Sequence, residues 1–310
     1  MHGPLIDERW PVVGTSRRGE PTVEPIPSEC EFGTFSMLAD GLLDHPECVA
    51  VGPDGALYAG GEDGQVYRVT LDGAVHEVAH TGGIVQGLCL DGHGNLYVCD
   101  VARHEVLRVT QEGTISVYAS GTDERAMVAP NYCVFDSAGH LYVSDSGVWS
   151  EDNGCVCVVR PDGSTRVLTD ELRQFPNGLA LDADEINLYV VLSTSAEIVR
   201  LPVRKGCSAG PAEPAVSLPA DVVPDGLAFD MTDTLYISCY TPDRIYTWSR
   251  DRGLQQFAED RRRTVLNSPT NVAFAGPDRT VLVAANLGGR HLAVARVRTS
   301  GRAYRYPKPG

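Results

Sequence analysis

Pro176-Asn177-Gly178-Leu179-Ala180-Leu181-Asp182 and Pro224-Asp225-Gly226-Leu227-Ala228-Phe229-Asp230 are two copies of one pattern. Each leads through a turn into a Leu-Tyr element, Leu188-Tyr189-Val190 and Leu235-Tyr236-Ile237. Four further copies begin at Pro46, Val85, Pro130 and Pro269. Successive starts lie 39, 45, 46, 48 and 45 residues apart. A repeat of roughly 40–50 residues built from short strands is the period of a four-stranded propeller blade. The pattern therefore predicts an all-β, six-bladed β-propeller.

Each unit reads as four strands. The first is a short apolar run such as Leu179-Ala180-Leu181, as expected when both faces are buried. An Asp/Gly turn such as Asp136-Ser137-Ala138-Gly139 leads to the Leu-Tyr-Val strand. The third strand alternates, as in Gln65-Val66-Tyr67-Arg68-Val69, and a second turn leads to the fourth, for example Thr114 to Tyr118. The sixth unit runs from Thr270 to about Val297 and lacks a fourth strand, whereas an orphan strand, Phe35 to Ala39, precedes the first unit. That strand is expected to complete the sixth blade, because closing the ring removes exposed sheet edges. The expected organisation is an N-terminal arm over 1–34, rich in Pro, and one propeller domain over 35–310.

Composition narrows the function classes. The chain has 310 residues, 43% of them apolar, and its 26 basic and 41 acidic side chains give a net charge of −15. That balance argues against nucleic acid as a partner, since phosphates reward Lys and Arg. The short run Arg261-Arg262-Arg263 follows two acids and reads as a solvated loop. No apolar run reaches the ~18–20 residues of a membrane span, and Met1 to Glu20 shows no secretory core. Nine cysteines, an odd number without a Cys-x-x-Cys pair, read as reduced core thiols of a cytoplasmic protein.

One polar position recurs at the mouth of the inner strands: Glu47, Gln86, Asn131, Asn177, Asp225 and Thr270. Five of the six follow proline, which suits the first position of a strand at a channel rim. In a propeller the inner strands surround the central channel, so these six side chains are expected to converge. Two carboxylates aimed into one enclosed space repel, and leaving them unpaired is costly. No Lys or Arg occupies an equivalent position. A bound cation resolves this, and an all-oxygen donor set selects a hard divalent ion: Ca²⁺ first, with Mg²⁺, Mn²⁺ or Zn²⁺ as alternatives. Gln86 and Thr270 either bond loops and channel water or face substrate.

The set Pro46-Glu47, Pro130-Asn131, Pro176-Asn177-Gly178 and Pro224-Asp225-Gly226 resembles the senescence-marker-protein/gluconolactonase family of six-bladed propellers. That family is related in architecture to diisopropylfluorophosphatase, and the resemblance spans roughly residues 35–300. It implies that Glu47, Asn177 and Asp225 hold the metal and that Asn131 lies beside metal or substrate. It also implies that Asp225 doubles as ligand and catalytic base, with Glu47 the second candidate. Three positions depart from the family pattern. Cys48-Val49 stands where Gly-Pro is frequent, Tyr132 where Asp is frequent, and Ala129 where some sugar lactonases carry Arg. Tyr132 is therefore expected to present an aromatic face to substrate and to disfavour a polyhydroxylated one.

The expected function is metal-dependent hydrolysis of a lactone or related cyclic ester, a small-molecule substrate. The alternatives are a non-hydrolytic isomerase, lyase or cyclase on the same scaffold, and a non-catalytic binding propeller. The 119–129 loop, with Asp123, Glu124 and Arg125, and the Ser146–Asn153 loop, with Trp149, are candidate lids. Trp149 reads equally as a substrate wall or a packed anchor. Ser193-Thr194-Ser195 read as turn hydroxyls, and His45 and His291 as loop and structural residues.

Overall fold

A computed structural model describes residues 35–204 and 208–308. The N-terminal arm expected over 1–34, with Cys30, and the position of Cys207 lie outside these residues. The described chain forms six antiparallel sheets, five of four strands and one extended to five by a short strand at Ser208–Ala209. The inner strands are Val49–Val51, Val85–Leu90, Pro130–Phe135, Pro176–Leu181, Val223–Phe229 and Pro269–Ala275. Each is hydrogen-bonded to the strand that follows it in sequence. Blade six is completed from the other end of the chain: Ser36–Leu38 pairs antiparallel with Leu292–Arg296, Met37 opposite Ala293. The ring therefore closes as the orphan strand implied.

The Leu-Tyr-Val repeat has a packing reason. In three blades its tyrosine sits edge-on against a phenylalanine at or next to the end of the next blade's inner strand. The ring centroids are 4.8 Å apart for Tyr97 and Phe135, 5.1 Å for Tyr189 and Phe229, and 5.0 Å for Tyr236 and Phe274. Such edge-to-face pairs tie blade to blade through buried apolar area and ring quadrupoles. The Asp-led turns are likewise accounted for locally. Asp91 Oδ1 accepts from the backbone N–H groups of His93 and Asn95, both at 2.9 Å, and Asp230 Oδ1 from those of Thr232 and Thr234, at 2.8 and 3.0 Å. These carboxylates hold hairpins, which is the Asx-turn role.

The seven cysteines within the described residues are free thiols, six of them buried. Arg261 and Arg263 are exposed and paired with Glu259 and Asp243. His291 is buried, its Nε2 2.8 Å from the Val265 carbonyl.

The tail after Val297 was not anticipated. It turns under the ring and closes the channel at the far end from the polar rim. Tyr304 OH accepts from Phe274 N–H at 2.7 Å and donates to its carbonyl at 3.0 Å, and Tyr306 OH donates to Val51 O at 2.8 Å. The Arg302 guanidinium lies 4.5 Å from the centre of the Phe229 ring and donates to Leu181 O. A largely apolar cavity of about 140 Å³ remains between tail and rim. A chain ending at Gly301 is expected to lose about 3 kcal/mol or more, from two half-buried tyrosine bodies and their hydrogen bonds. A denaturant titration measures it; an unchanged midpoint would show that the tail merely rests on the ring.

Candidate metal centre at the channel mouth

In five blades the rim residue lies at a β-bulge. The register between inner and second strand shifts between Val85 and Leu88, Pro130 and Tyr132, Pro176 and Leu179, Pro224 and Leu227, and Pro269 and Asn271. A bulge inserts an extra residue and re-aims its side chain. The bulge also leaves backbone groups without ladder partners, and hydroxyls from the second strand satisfy them. Tyr132 N–H donates to Ser144 Oγ at 3.1 Å, and Gly226 N–H to Ser238 Oγ at 3.0 Å. Glycine follows three of the rim residues because the next blade passes there. A Cβ on Gly178 would lie 2.2 Å from Asp225 O, and one on Gly226 2.6 Å from Thr270 O.

The backbone beside each expected metal ligand is pinned by a hydroxyl from the preceding blade. Ser146 Oγ donates to Pro176 O at 2.7 Å, next to Asn177, and Ser193 Oγ donates to Pro224 O at 2.7 Å, next to Asp225. Thr270 Oγ1 donates to Glu47 O at 2.6 Å. Ser193 thus corrects the expectation of a turn hydroxyl: it is 2% exposed and also accepts from Asn177 Nδ2 at 3.3 Å. Ser146 and Ser193 stand at the same place, five residues after Leu141 and Leu188 of the Leu-Tyr element, and that recurrence was the available sequence signal.

Glu47, Gln86, Asn131, Asn177 and Asp225 come together around an enclosed space of about 30 Å³. Glu47, Asn131, Asn177 and Asp225 are buried, at 9, 4, 4 and 7% exposure. Trp149, Phe175, Val223, Tyr240 and Leu287 complete the lining. Trp149 lines the space and packs on Phe175 with ring centroids 4.7 Å apart. Phe175, Val223, Tyr240 and Leu287 were not foreseen: Phe175 and Leu287 come from loops, Val223 heads the inner strand of blade five, and Tyr240 lies near the end of the strand paired with it.

Two expected substrate contacts are placed elsewhere. Tyr132 lines the channel cavity beneath the rim, and its phenol oxygen accepts from Asn271 Nδ2 at 3.0 Å. Successive residues of a strand point to opposite sides, so seating Asn131 at the rim turns Tyr132 away from it. Thr270 is buried against the Glu47 backbone and does not line the space. The 119–129 loop also stays clear of it; the Arg125 guanidinium bonds the Asn153 carbonyl. His45 bonds Asp44 at 3.0 Å in its own loop.

Electrostatics give this cluster its character. Burial pushes the Asp225 carboxyl well above the usual carboxylate range, the charge of Glu47 adds to that, and the Asn177 amide opposes it. Burial likewise raises Glu47, opposed by the Thr270 hydroxyl and reinforced by Glu62. Glu47 Oε2 and Asn177 Oδ1 are buried with no hydrogen-bond partner among the described residues. Unsatisfied buried acceptors are costly, and both lie on residues lining the space that Asp225 also lines. A hard divalent cation fits this donor set, because it supplies the positive charge and accepts oxygen ligands. Among the described residues no group of three or more His, Cys, Asp and Glu side chains could hold a metal ion. The set at the rim has two carboxylates and takes its remaining oxygens from carboxamides.

Residues 61–286 match the sequence profile of the SMP-30/gluconolactonase/LRE-like region. The chain belongs to that family. A strictosidine synthase-like N-terminal profile also matches residues 34–69. Lactonase drp35 of Staphylococcus saprophyticus is 27% identical over 170 residues, 51% of this chain and 51% of the relative. This family member thus spans about half the length of the curated relative it matches. A gluconolactonase of Xanthomonas campestris superposes with a TM-score of 0.73 at 20% identity, over 89% of this chain and 98% of the other. A calcium-binding protein, regucalcin, of Agrobacterium tumefaciens gives 0.75 at 15% identity, over 92% and 99%. At these identities the two structures establish the shared fold. Among the described residues no helix is long and apolar enough to cross a membrane.

Proposed function

We propose that this family member is a divalent-cation-dependent hydrolase of a lactone or related cyclic ester. Glu47, Asn177 and Asp225 hold the cation, Ca²⁺ before Mg²⁺, Mn²⁺ or Zn²⁺, and Asn131 stands beside it. The observation that carries the reading is the pair of orphaned buried oxygens, Glu47 Oε2 and Asn177 Oδ1, in a space shared with Asp225. The names of the relatives, a lactonase, a gluconolactonase and a calcium-binding protein, support it. The free thiols suit a reducing compartment such as the cytoplasm.

A cation held there would supply Lewis-acid polarisation of the ester carbonyl and positive charge against the developing oxyanion. The Asp225 carboxylate takes the proton of the attacking water and returns it to the ring oxygen as the ester bond breaks, giving the open hydroxy acid. Asn131 and Gln86 offer carboxamides to orient the ester. The aromatic and aliphatic wall around Trp149 and Phe175 excludes bulk water, which strengthens every charge interaction inside. An enclosed space of about 30 Å³ has room for only about two waters. A lactone ring therefore needs the Trp149 loop to give way.

Five wall residues are apolar or aromatic, and among the described residues no charged side chain joins Glu47 and Asp225 in the lining. A substrate rich in hydroxyls finds few partners there. The preference against sugar lactones, first argued from Tyr132, now rests on this wall. A benzo-fused lactone is expected to be turned over at least about tenfold better than gluconolactone in kcat/KM, equivalent to ~1.4 kcal/mol. The decisive assay compares the two with Ca²⁺ present and after chelation, in ¹⁸O-labelled water. A preference for gluconolactone would refute the wall argument. Product without ¹⁸O would move the protein to the non-hydrolytic class, and turnover unaffected by chelation would remove the cation.

A further inference from the structure

The ring of rim residues is pinned neighbour to neighbour, and one contact crosses it. In a six-bladed ring, blades three and six face each other across the channel. Tyr132 of blade three reaches over and accepts a hydrogen bond from Asn271 Nδ2 of blade six at 3.0 Å. The other end of the Asn271 carboxamide faces blade one, where Oδ1 accepts from Val49 N–H at 3.2 Å. Because a backbone N–H can only donate, Oδ1 must face Val49, and Nδ2 is left for the phenol. The residue before Asn271 is Thr270, whose hydroxyl donates to Glu47 O at 2.6 Å. Blade six therefore grips the Glu47-Cys48-Val49 backbone at both ends, and Tyr132 steadies the grip from the opposite wall.

Glu47 has particular need of such support. It precedes a three-residue inner strand, Val49–Val51, whereas Asn177 and Asp225 lie within strands of six and seven residues. Beneath the rim lies the 140 Å³ cavity, lined by Val49 and Tyr132 among others, so packing from below is incomplete. Asn271 is 2% exposed. Without the phenol oxygen its buried amide loses its partner, and the carboxamide is driven to rotate away from Val49.

We propose that Tyr132 and Asn271 form a strut across the channel that positions Glu47 for cation binding, which makes both positioning residues for the metal centre. The proposal rests on the cation reading above. Partners that orient metal ligands typically change metal affinity by about 10–100-fold when removed. The length of the Tyr132 ring spans the channel, and its hydroxyl meets an amide.

The test is calorimetric titration of the full chain with Ca²⁺ and with Mn²⁺, paired with the melting midpoint of the metal-free protein. The variants are Tyr132→Phe, Asn271→Leu, the double variant, and Tyr304→Phe as a control. Tyr304→Phe removes another channel phenol hydroxyl, one bonded to Phe274 and not to the Glu47 grip. Tyr132→Phe is expected to weaken cation binding at least about tenfold while lowering the metal-free midpoint no more than Tyr304→Phe does. The double variant should be no weaker than Asn271→Leu, because both residues act through one grip. Tyr304→Phe should shift the midpoint and leave affinity alone. Unchanged affinity in Tyr132→Phe, beside a wild type that binds, overturns the strut even if Asn271→Leu fails to fold. A wild type that binds neither ion overturns the cation reading itself and leaves the strut nothing to position; the wild-type titration separates the two failures.

Discussion

Asp225→Ala is expected to abolish cation binding and turnover while leaving the folded protein at least as stable as the metal-free wild type. The two signs come from one cause. Asp225 is a buried carboxylate beside a second buried carboxylate, so without a cation its charge is a burden on the fold. Alanine relieves that burden. In the loaded protein the same substitution removes a charge, an oxygen donor and the group assigned to take the proton from water. Affinity for Ca²⁺ should fall by about three orders of magnitude or more, ~4 kcal/mol, and hydrolysis should drop to background. Elemental analysis after dialysis, beside the metal-free melting midpoint, reads both effects. Equal metal content in variant and wild type would refute the assignment of Asp225. Asn131→Ala separates the roles within the site: metal content should change little and turnover should fall further.

Removal of residues 1–40 is expected to destabilise every blade. Ser36–Leu38 is the outer strand of blade six, and its flanking side chains reach two cores. Phe35 packs edge-on to Phe257 with centroids 6.4 Å apart, and Leu38 joins the cluster of Val49, Leu57 and Val283. Losing these two buried side chains costs roughly 3–6 kcal/mol, against a total stability of about 5–15 kcal/mol for an ordinary domain. The cut also exposes the edge of Leu292–Arg296, a template for pairing with another chain. The truncated protein should melt far lower and aggregate, as followed by circular dichroism and light scattering. A midpoint equal to that of the intact chain would mean that the closure contributes nothing.

The rim was legible because it repeats. A polar residue after proline at the head of an apolar strand stands out once six copies are aligned, and Glu47, Asn177 and Asp225 do meet around one space. Tyr132 shows the limit of that reading. Its neighbour Asn131 lies at the bulge, and strand alternation then sends the phenol into the channel, where it finds Asn271 139 positions further along the chain. Adjacency to a site residue in sequence is, in a strand, an argument for pointing elsewhere.

Blade number, strand order and ring closure were written in the amino-acid pattern, because each blade is a local unit whose apolar runs and Asp/Gly turns recur at a near-constant interval. The pairing of Ser36–Leu38 with Leu292–Arg296 is not local, yet counting strands sufficed to infer it, since a closed sheet leaves no other partner. What surrounds the carboxylates could be decided only in three dimensions. Ser146, Ser193 and Thr270 each pin a carbonyl on the next blade, Trp149 and Phe175 arrive from two separate loops and Tyr240 from the end of a second strand, and Tyr304 and Tyr306 close the channel from below. Apart from those of Ser146 and Ser193, which recur at the blade interval, none of these contacts has a period. They depend on how far each bulge turns a strand and where each loop crosses its neighbour, quantities set by packing across blades rather than by any stretch of chain within one.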